Sequence, residues 1–356
     1  MVAEQQYCSS SEPDGEGFVG FISNTLQIDK IHNTTKIILL ATFKDQNQFM
    51  INQRYPQAIL ISCEVPWDDR EQLVEDLFRR EVQTVLLQGF KNVYIFGTAG
   101  EGYAIDTVRF RQIVRIFREE TNNPDTHAMV GVIGLSTANI IERIQMAYEA
   151  GFRTFQISLP SWAALRDEEM LRFFVDVCCA FPDSGFLHYN LPRAKRLLTG
   201  RDYRRIADVV PNLVATKNTG GGLERARDLM TNASEIQHFF SEANFTHGCN
   251  YGPCSLLSSF GPMAPAKTKA LFEAGLAGRI EDMYRLQHEF QNMLHVVWGP
   301  LLAEERIDGA YDKMIVRLAG LKEFPLRLLS PYICFSEEQY MAMEARMREH
   351  FGGWLP

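Results

Sequence analysis

The feature that most restricts the fold of this chain is a recurrence. From about Ala58 to Ser258, short apolar runs alternate with amphipathic stretches of helical period. A strand buried on both faces reads as an unbroken apolar run, and a helix lying on a sheet shows one apolar stripe, so this alternation specifies βα units on a parallel sheet. The candidate strands are Ala58 to Cys63, Asn92 to Phe96, Ala128 to Ile133, Thr154 to Ser158, Gly185 to Tyr189, Leu213 to Lys217, Ile236 to Ser241 and Cys254 to Ser258. Eight parallel strands can close on themselves around an interior filled by side chains, so the expected fold class is α/β, a (β/α)8 TIM barrel.

The intervening helices are legible too. Ser136 can cap a helix in which Ile140, Ile141, Ile144, Ala147 and Tyr148 recur at helical spacing, with Gly151 as its stop. A second runs from Asp167 through Leu171, Phe174, Val175 and Cys178. Beyond the eighth strand, Lys267 to Val297, Tyr311 to Leu321 and Glu337 to Phe351 read as helices. The predicted organisation is a tail and extension over residues 1–57, a barrel over 58–265 and a helical C-terminal segment over 266–356 packed on it. The first seventeen residues are too polar to offset the entropy of ordering, and Ile37-Ile38-Leu39-Leu40-Ala41 is a possible strand without a catalytic pattern. A doubly wound dinucleotide fold also alternates strand and helix. The early cluster Gly97-Thr98-Ala99-Gly100-Glu101-Gly102 does not fit its G-x-G-x-x-G fingerprint.

The formal charge of −8 argues against a nucleic-acid surface, which needs a concentrated excess of Lys and Arg. No run of eighteen apolar residues suggests a membrane span, and the N-terminal stretch has neither the basic start nor the apolar core of a signal peptide. The seven cysteines are odd in number and irregular in spacing, so they are expected to be reduced thiols and the location cytoplasmic. His247, Cys249 and Cys254 match no standard zinc spacing, and Gly220-Gly221-Gly222 lacks the Lys-Ser/Thr of a phosphate loop, so neither is read as a site.

In such a barrel, residues at the carboxyl ends of the strands face the active site. The sixth strand ends in Lys217. Burying an ammonium without a partner is costly, and the cost depresses its pKa until the neutral amine can attack a ketone and form an iminium. The fifth strand ends in Tyr189, a phenol able to move a proton on and off oxygen beside that lysine. After the second strand, Thr98 offers a hydroxyl to the same relay, and the N–H groups of the Gly97 to Gly100 turn can hold a carboxylate. Glu242 and Asn244 after strand seven, and Ser258 or Ser259 after strand eight, can hydrogen-bond substrate hydroxyls.

Together these segments resemble the dihydrodipicolinate synthase and N-acetylneuraminate lyase family over roughly residues 58–350. The family's G-[ST]-T-G-E turn stands here as Gly97-Thr98-Ala99-Gly100-Glu101, its Y-N-x-P as Tyr189-Asn190-Leu191-Pro192, and its strand-six lysine as Lys217-Asn218-Thr219-Gly220. The resemblance implies a class I aldolase or lyase in which Lys217 forms the Schiff base, Tyr189 is the general acid and base, and Thr98 belongs to the proton relay. It further implies that Gly97, Ala99 and Gly100 receive the carboxylate of pyruvate or a related 2-oxo acid, with an aldehyde as partner and no metal or organic cofactor. Assembly as a homo-oligomer, dimer or tetramer, also follows from it. Three departures stand out: Ala99 replaces the second hydroxyl of the turn, Trp162 or Ser161 stands where strand four often carries a tyrosine, and Arg193 is the candidate for a distal carboxylate. Two alternatives stay open: a hydro-lyase acting on a 2-keto-3-deoxy sugar acid through the same iminium, and a catalytically silent barrel that binds a small ligand.

Overall fold

Strand pairing in the computed structural model, which describes residues 53–356, runs parallel from each strand to the next and returns from the eighth to the first. The strands are β1 (Ile59–Ser62), β2 (Asn92–Ile95), β3 (His127–Gly131), β4 (Thr154–Ile157), β5 (Gly185–Asn190), β6 (Leu213–Asn218), β7 (Gln237–Ser241) and β8 (Ser255–Leu257). Each falls on one of the eight apolar runs, and the closed α/β barrel is the expected one. Because side chains alternate across a strand, Leu60, Tyr94, Met129, Leu187, Ala215, Phe239 and Leu257 turn inward together and fill the barrel. Tyr55 packs on this cluster; its N–H donates to the Val214 carbonyl at 3.1 Å and its hydroxyl to Asn92 Oδ1 at 2.8 Å. The last residues of the expected extension are therefore joined to the barrel, whereas residues 1–52, with Cys8 and the run Ile37 to Ala41, lie outside the described residues.

The helices bury their apolar stripes against the outer faces of the strands. Ser136 caps its helix as expected, its hydroxyl accepting the Asn139 N–H at 3.2 Å, and Gly151 follows that helix with φ of +98°. Past β8, the stretch expected as one helix from Lys267 to Val297 is broken after Leu276. Gly278 adopts φ of +63°, with Arg279 N–H returning to the Ala274 carbonyl at 2.9 Å, so an early glycine stop divides it into Pro265–Leu276 and Ile280–Met293. Among the described residues, no helix is long and apolar enough to cross a membrane.

One C-terminal helix, Asp308–Leu318, decides how this segment meets the barrel; we call it α1. Lys313 on α1 is fully buried and pairs with the equally buried Glu101, just after β2, at 2.6 Å. Both groups have further partners: Glu101 also accepts from Trp67 Nε1 at 2.8 Å and from the Leu329 N–H at 2.6 Å, and Lys313 donates to the Arg327 carbonyl. Removing one partner of such a pair is far costlier than replacing both, because it leaves the other as a buried, uncompensated charge. Asp308 and Asp312 lie four residues apart on α1, which puts their carboxyls on one helix face.

Candidate active site

Register places the first two reactive groups. In the β5–β6 ladder Tyr189 stands directly opposite Lys217, so both side chains leave the same face of the sheet. Only 3% of Lys217 is exposed. Its Nζ lies 4.0 Å from the ring centre of Tyr189 and 4.3 Å from that of Tyr94, and donates to Tyr94 Oη at 2.6 Å. Burial outweighs the attraction of Asp308, Asp312 and Glu64 and lowers the lysine pKa to about 8. Roughly a tenth of the amine is then uncharged at pH 7, far more than for a solvated lysine.

Tyr94 comes from β2, which faces β6 across the eight-stranded barrel. Its phenol and that of Tyr189 are both pushed up by burial, Tyr189 to about 12, so each carries its proton at neutral pH. Thr98 Oγ1 is 3.5 Å from Tyr189 Oη, a long contact of the sort that tightens when a substrate is seated.

The turn after β2 is strained and crowded. Phe96, wholly buried, adopts φ of +62°, a conformation bulky residues seldom take and which costs about 1–3 kcal/mol. At Gly97 a Cβ would lie 2.9 Å from Tyr94 Cε2 and 3.4 Å from Lys217 Nζ, so glycine is what lets the backbone pass this close to the amine. Gly100 has φ of +70°, and its N–H donates to Glu64 Oε2 at 2.6 Å. That donor is therefore already engaged, which leaves the amides of Gly97, Thr98 and Ala99 as the ones of the expected turn that a carboxylate could use.

Above Lys217 opens a cavity of about 540 Å³, within the usual range for small-molecule sites. Tyr94, Tyr189, Lys217, Arg193, Asp308 and Asp312 form its polar wall. Arg193 is gripped by Asp308 through both terminal nitrogens, at 3.0 and 2.9 Å. Burial, reinforced by Glu64 and Asp308, raises the Asp312 carboxyl well above the ordinary range.

Of the residues expected at the site, Lys217, Tyr189, Ala99 and Arg193 line this cavity; Thr98 and Gly97 sit directly behind its wall. Three substrate-binding expectations are placed elsewhere. Trp162 is 86% exposed in the loop after β4 and does not line the cavity, because Leu159-Pro160-Ser161 carries it outward before the next helix begins at Asp167. Glu242 and Ser258 are both buried and engaged with each other at 2.6 Å, Glu242 also accepting the Phe260 N–H at 3.2 Å. Alternation past β8 gives the cavity Leu257 and Ser259 in place of Ser258. Cys249 and Cys254 bring their sulfurs within 3.6 Å, and among the described residues no three potential metal ligands gather.

Sequence reasoning missed Tyr94, Asp308, Asp312 and Glu64. Counting the strand period shows Tyr94 on the same face as Asn92, but not how far it reaches. The signal for the two aspartates was their spacing on a largely apolar helix that also buries Lys313.

A model of the dihydrodipicolinate synthetase family matches residues 56–349. A 4-hydroxy-tetrahydrodipicolinate synthase of Thermus thermophilus is 26% identical over 222 residues, covering 59% of this chain and 71% of that one. An N-acetylneuraminate lyase of Salmonella paratyphi B is 24% identical over 168 residues, 47% of this chain and 56% of the lyase. Among solved structures, a prophage protein of the dihydrodipicolinic acid synthase family from E. coli K12, in complex with pyruvate, superposes with a TM-score of 0.71 at 16% identity, covering 82% of this chain and 98% of that one. With the barrel, the strand-six lysine and this match in hand, the chain belongs to the dihydrodipicolinate synthetase family, whose members are Schiff-base-forming class I aldolases and lyases.

Proposed function

We propose that this protein joins or separates pyruvate, or a closely related 2-oxo acid, and an aldehyde, with Lys217 as the amine that carries the donor. The observation that carries this reading is the Nζ of Lys217, buried beneath the cavity and hydrogen-bonded to Tyr94 Oη at 2.6 Å. The neutral amine adds to the ketone carbon, giving a carbinolamine. A proton delivered to its hydroxyl lets water leave, and the resulting iminium draws electrons from the neighbouring methyl carbon. Loss of a proton from that carbon forms an enamine, which attacks the aldehyde carbon while the aldehyde oxygen takes up a proton. Water then hydrolyses the iminium and frees Lys217.

Tyr189 is assigned the proton transfers, with Thr98 Oγ1 linking its phenol to the substrate carboxylate. Tyr94, on the opposite strand, holds the amine toward the cavity and can exchange a proton with the carbinolamine oxygen. The Thr98 and Ala99 amides are assigned to the carboxylate of the 2-oxo acid. The relative solved with pyruvate supports the choice of donor. A dimeric or tetrameric assembly and a cytoplasmic location belong to the same reading; sedimentation and fractionation measure them. The deciding experiment is reduction with borohydride in the presence of pyruvate. The expected result is loss of activity with the mass of the reduced adduct on Lys217, absent in Lys217→Ala; wild-type protein that retains activity and an unmodified Lys217 would refute the proposal.

A further inference from the structure

The part of the cavity that would receive the aldehyde is charged in a way the donor part does not require. Arg193 is the guanidinium on its wall, and Asp308 already meets it with both carboxylate oxygens, at 2.9 and 3.0 Å. Asp312, one helical turn further along α1, brings a second carboxyl to the same wall and is 8% exposed. The remaining cationic group, Lys217, becomes the iminium and then the enamine nitrogen of the donor and faces the carboxylate of the 2-oxo acid. An acceptor bearing its own carboxylate would thus find its cation already taken by Asp308, with the Asp312 carboxyl beside it offering no positive charge in its place. The Arg193–Asp308 pair is half-exposed and weak on its own. What decides is that the wall keeps no spare cation: a carboxylate entering the confined site must take Arg193 from Asp308 or lie beside that like charge, which costs far more than the exposed pair returns.

Resting on the aldolase reading above, we propose that α1 makes the site selective for an uncharged hydroxyaldehyde: Asp308 masks Arg193, and Asp312 hydrogen-bonds a hydroxyl of the acceptor. Burial favours the protonated form of the Asp312 carboxyl, which can both donate to and accept from such a hydroxyl. Thr219 and Ser259, also on the wall, add two neutral partners suited to a polyhydroxylated chain. The volume, about 540 Å³, leaves room for an acceptor larger than the three-carbon donor.

The test measures kcat/KM with pyruvate and a panel of neutral aldehydes (glycolaldehyde, glyceraldehyde, erythrose) against two anionic ones (glyoxylate, succinic semialdehyde). Wild-type protein is expected to prefer the best neutral acceptor over the best anionic one by about tenfold or more, and Asp308→Asn to narrow that ratio by about tenfold. Asp312→Leu is expected to raise KM for the neutral acceptor more than it lowers kcat. The ratio is a readout that loss of folded protein does not move, and the wild-type value stands even where a variant fails to fold. A wild-type preference for the anionic panel, or no turnover of any neutral aldehyde while pyruvate is trapped on Lys217, overturns the proposal. Absence of the pyruvate adduct would instead sink the aldolase reading beneath it.

Discussion

The two sides of the cavity wall are built by opposite means. Lys217, Tyr189 and Tyr94 stand on strands whose register is held by ladder hydrogen bonds around a closed barrel. Asp308 and Asp312 stand on α1, which reaches the site through a packed helix face and the Lys313–Glu101 pair at 2.6 Å. Groups that must meet a reacting atom within a fraction of an ångström are best carried by the more rigid element. Groups that choose a partner can sit on an appended segment, whose side chains can change without disturbing the chemistry. Glu101 joins the two sides, since it belongs to the turn that borders Lys217 and holds the helix as well.

That contrast can be broken at its joint first. Lys313→Met leaves Glu101 buried and unpaired, and unfolding measurements should show a loss of about 3–5 kcal/mol, with part of it recovered in the Glu101→Gln/Lys313→Met double variant. A single variant as stable as the parent would mean that α1 is held by packing alone. On the strand side, Tyr189→Phe should lower kcat by roughly 10²-fold or more, and Tyr94→Phe by less, because one phenol is assigned the transfers and the other a supporting bond. Equal losses would reverse or merge those roles.

The pH dependence sharpens the strand side further. With Lys217 lowered to about 8, kcat/KM for pyruvate should climb about tenfold per pH unit below that value and level off above it. Stability follows the same shift with a definite sign. Between about 8 and 10.5 the unfolded chain binds more protons at Lys217 than the folded one, so folding gains as pH rises through this window. Below about 8 the penalty is complete, and the stability advantage of a Lys217→Met variant over the parent should shrink as pH moves from 8 toward 10.5. An advantage independent of pH would show that the lysine is not desolvated. The smallest effect is expected at Trp162→Ala: with its side chain in solvent, kcat/KM should change by less than about twofold, as for most exposed positions.

Much of this was legible before any coordinates. The eight apolar runs named the strands to within a residue or two, and Lys217 and Tyr189 ended neighbouring ones, so period-two alternation and a shared register brought them together. The resemblance to Schiff-base barrels rested on the same strand ends. Helix boundaries were less legible: the stretch from Lys267 to Val297 read as continuous because its apolar spacing persists across Gly278, and only the left-handed backbone there reveals the break.

Local order determined the alternation, the closure number and the chemistry of the sixth strand's end, because apolar periodicity and a charged residue at the end of an apolar run are properties of neighbours in sequence. Tertiary structure alone decided that Tyr94 reaches Lys217 from the opposite strand, that Glu64 takes the Gly100 amide, that Trp162 faces water and that two aspartates of a distant helix border the cavity. Each of these depends on strand tilt, barrel closure and the seating of α1, which arise from many weak contacts summed over the whole fold and leave no mark at any single position.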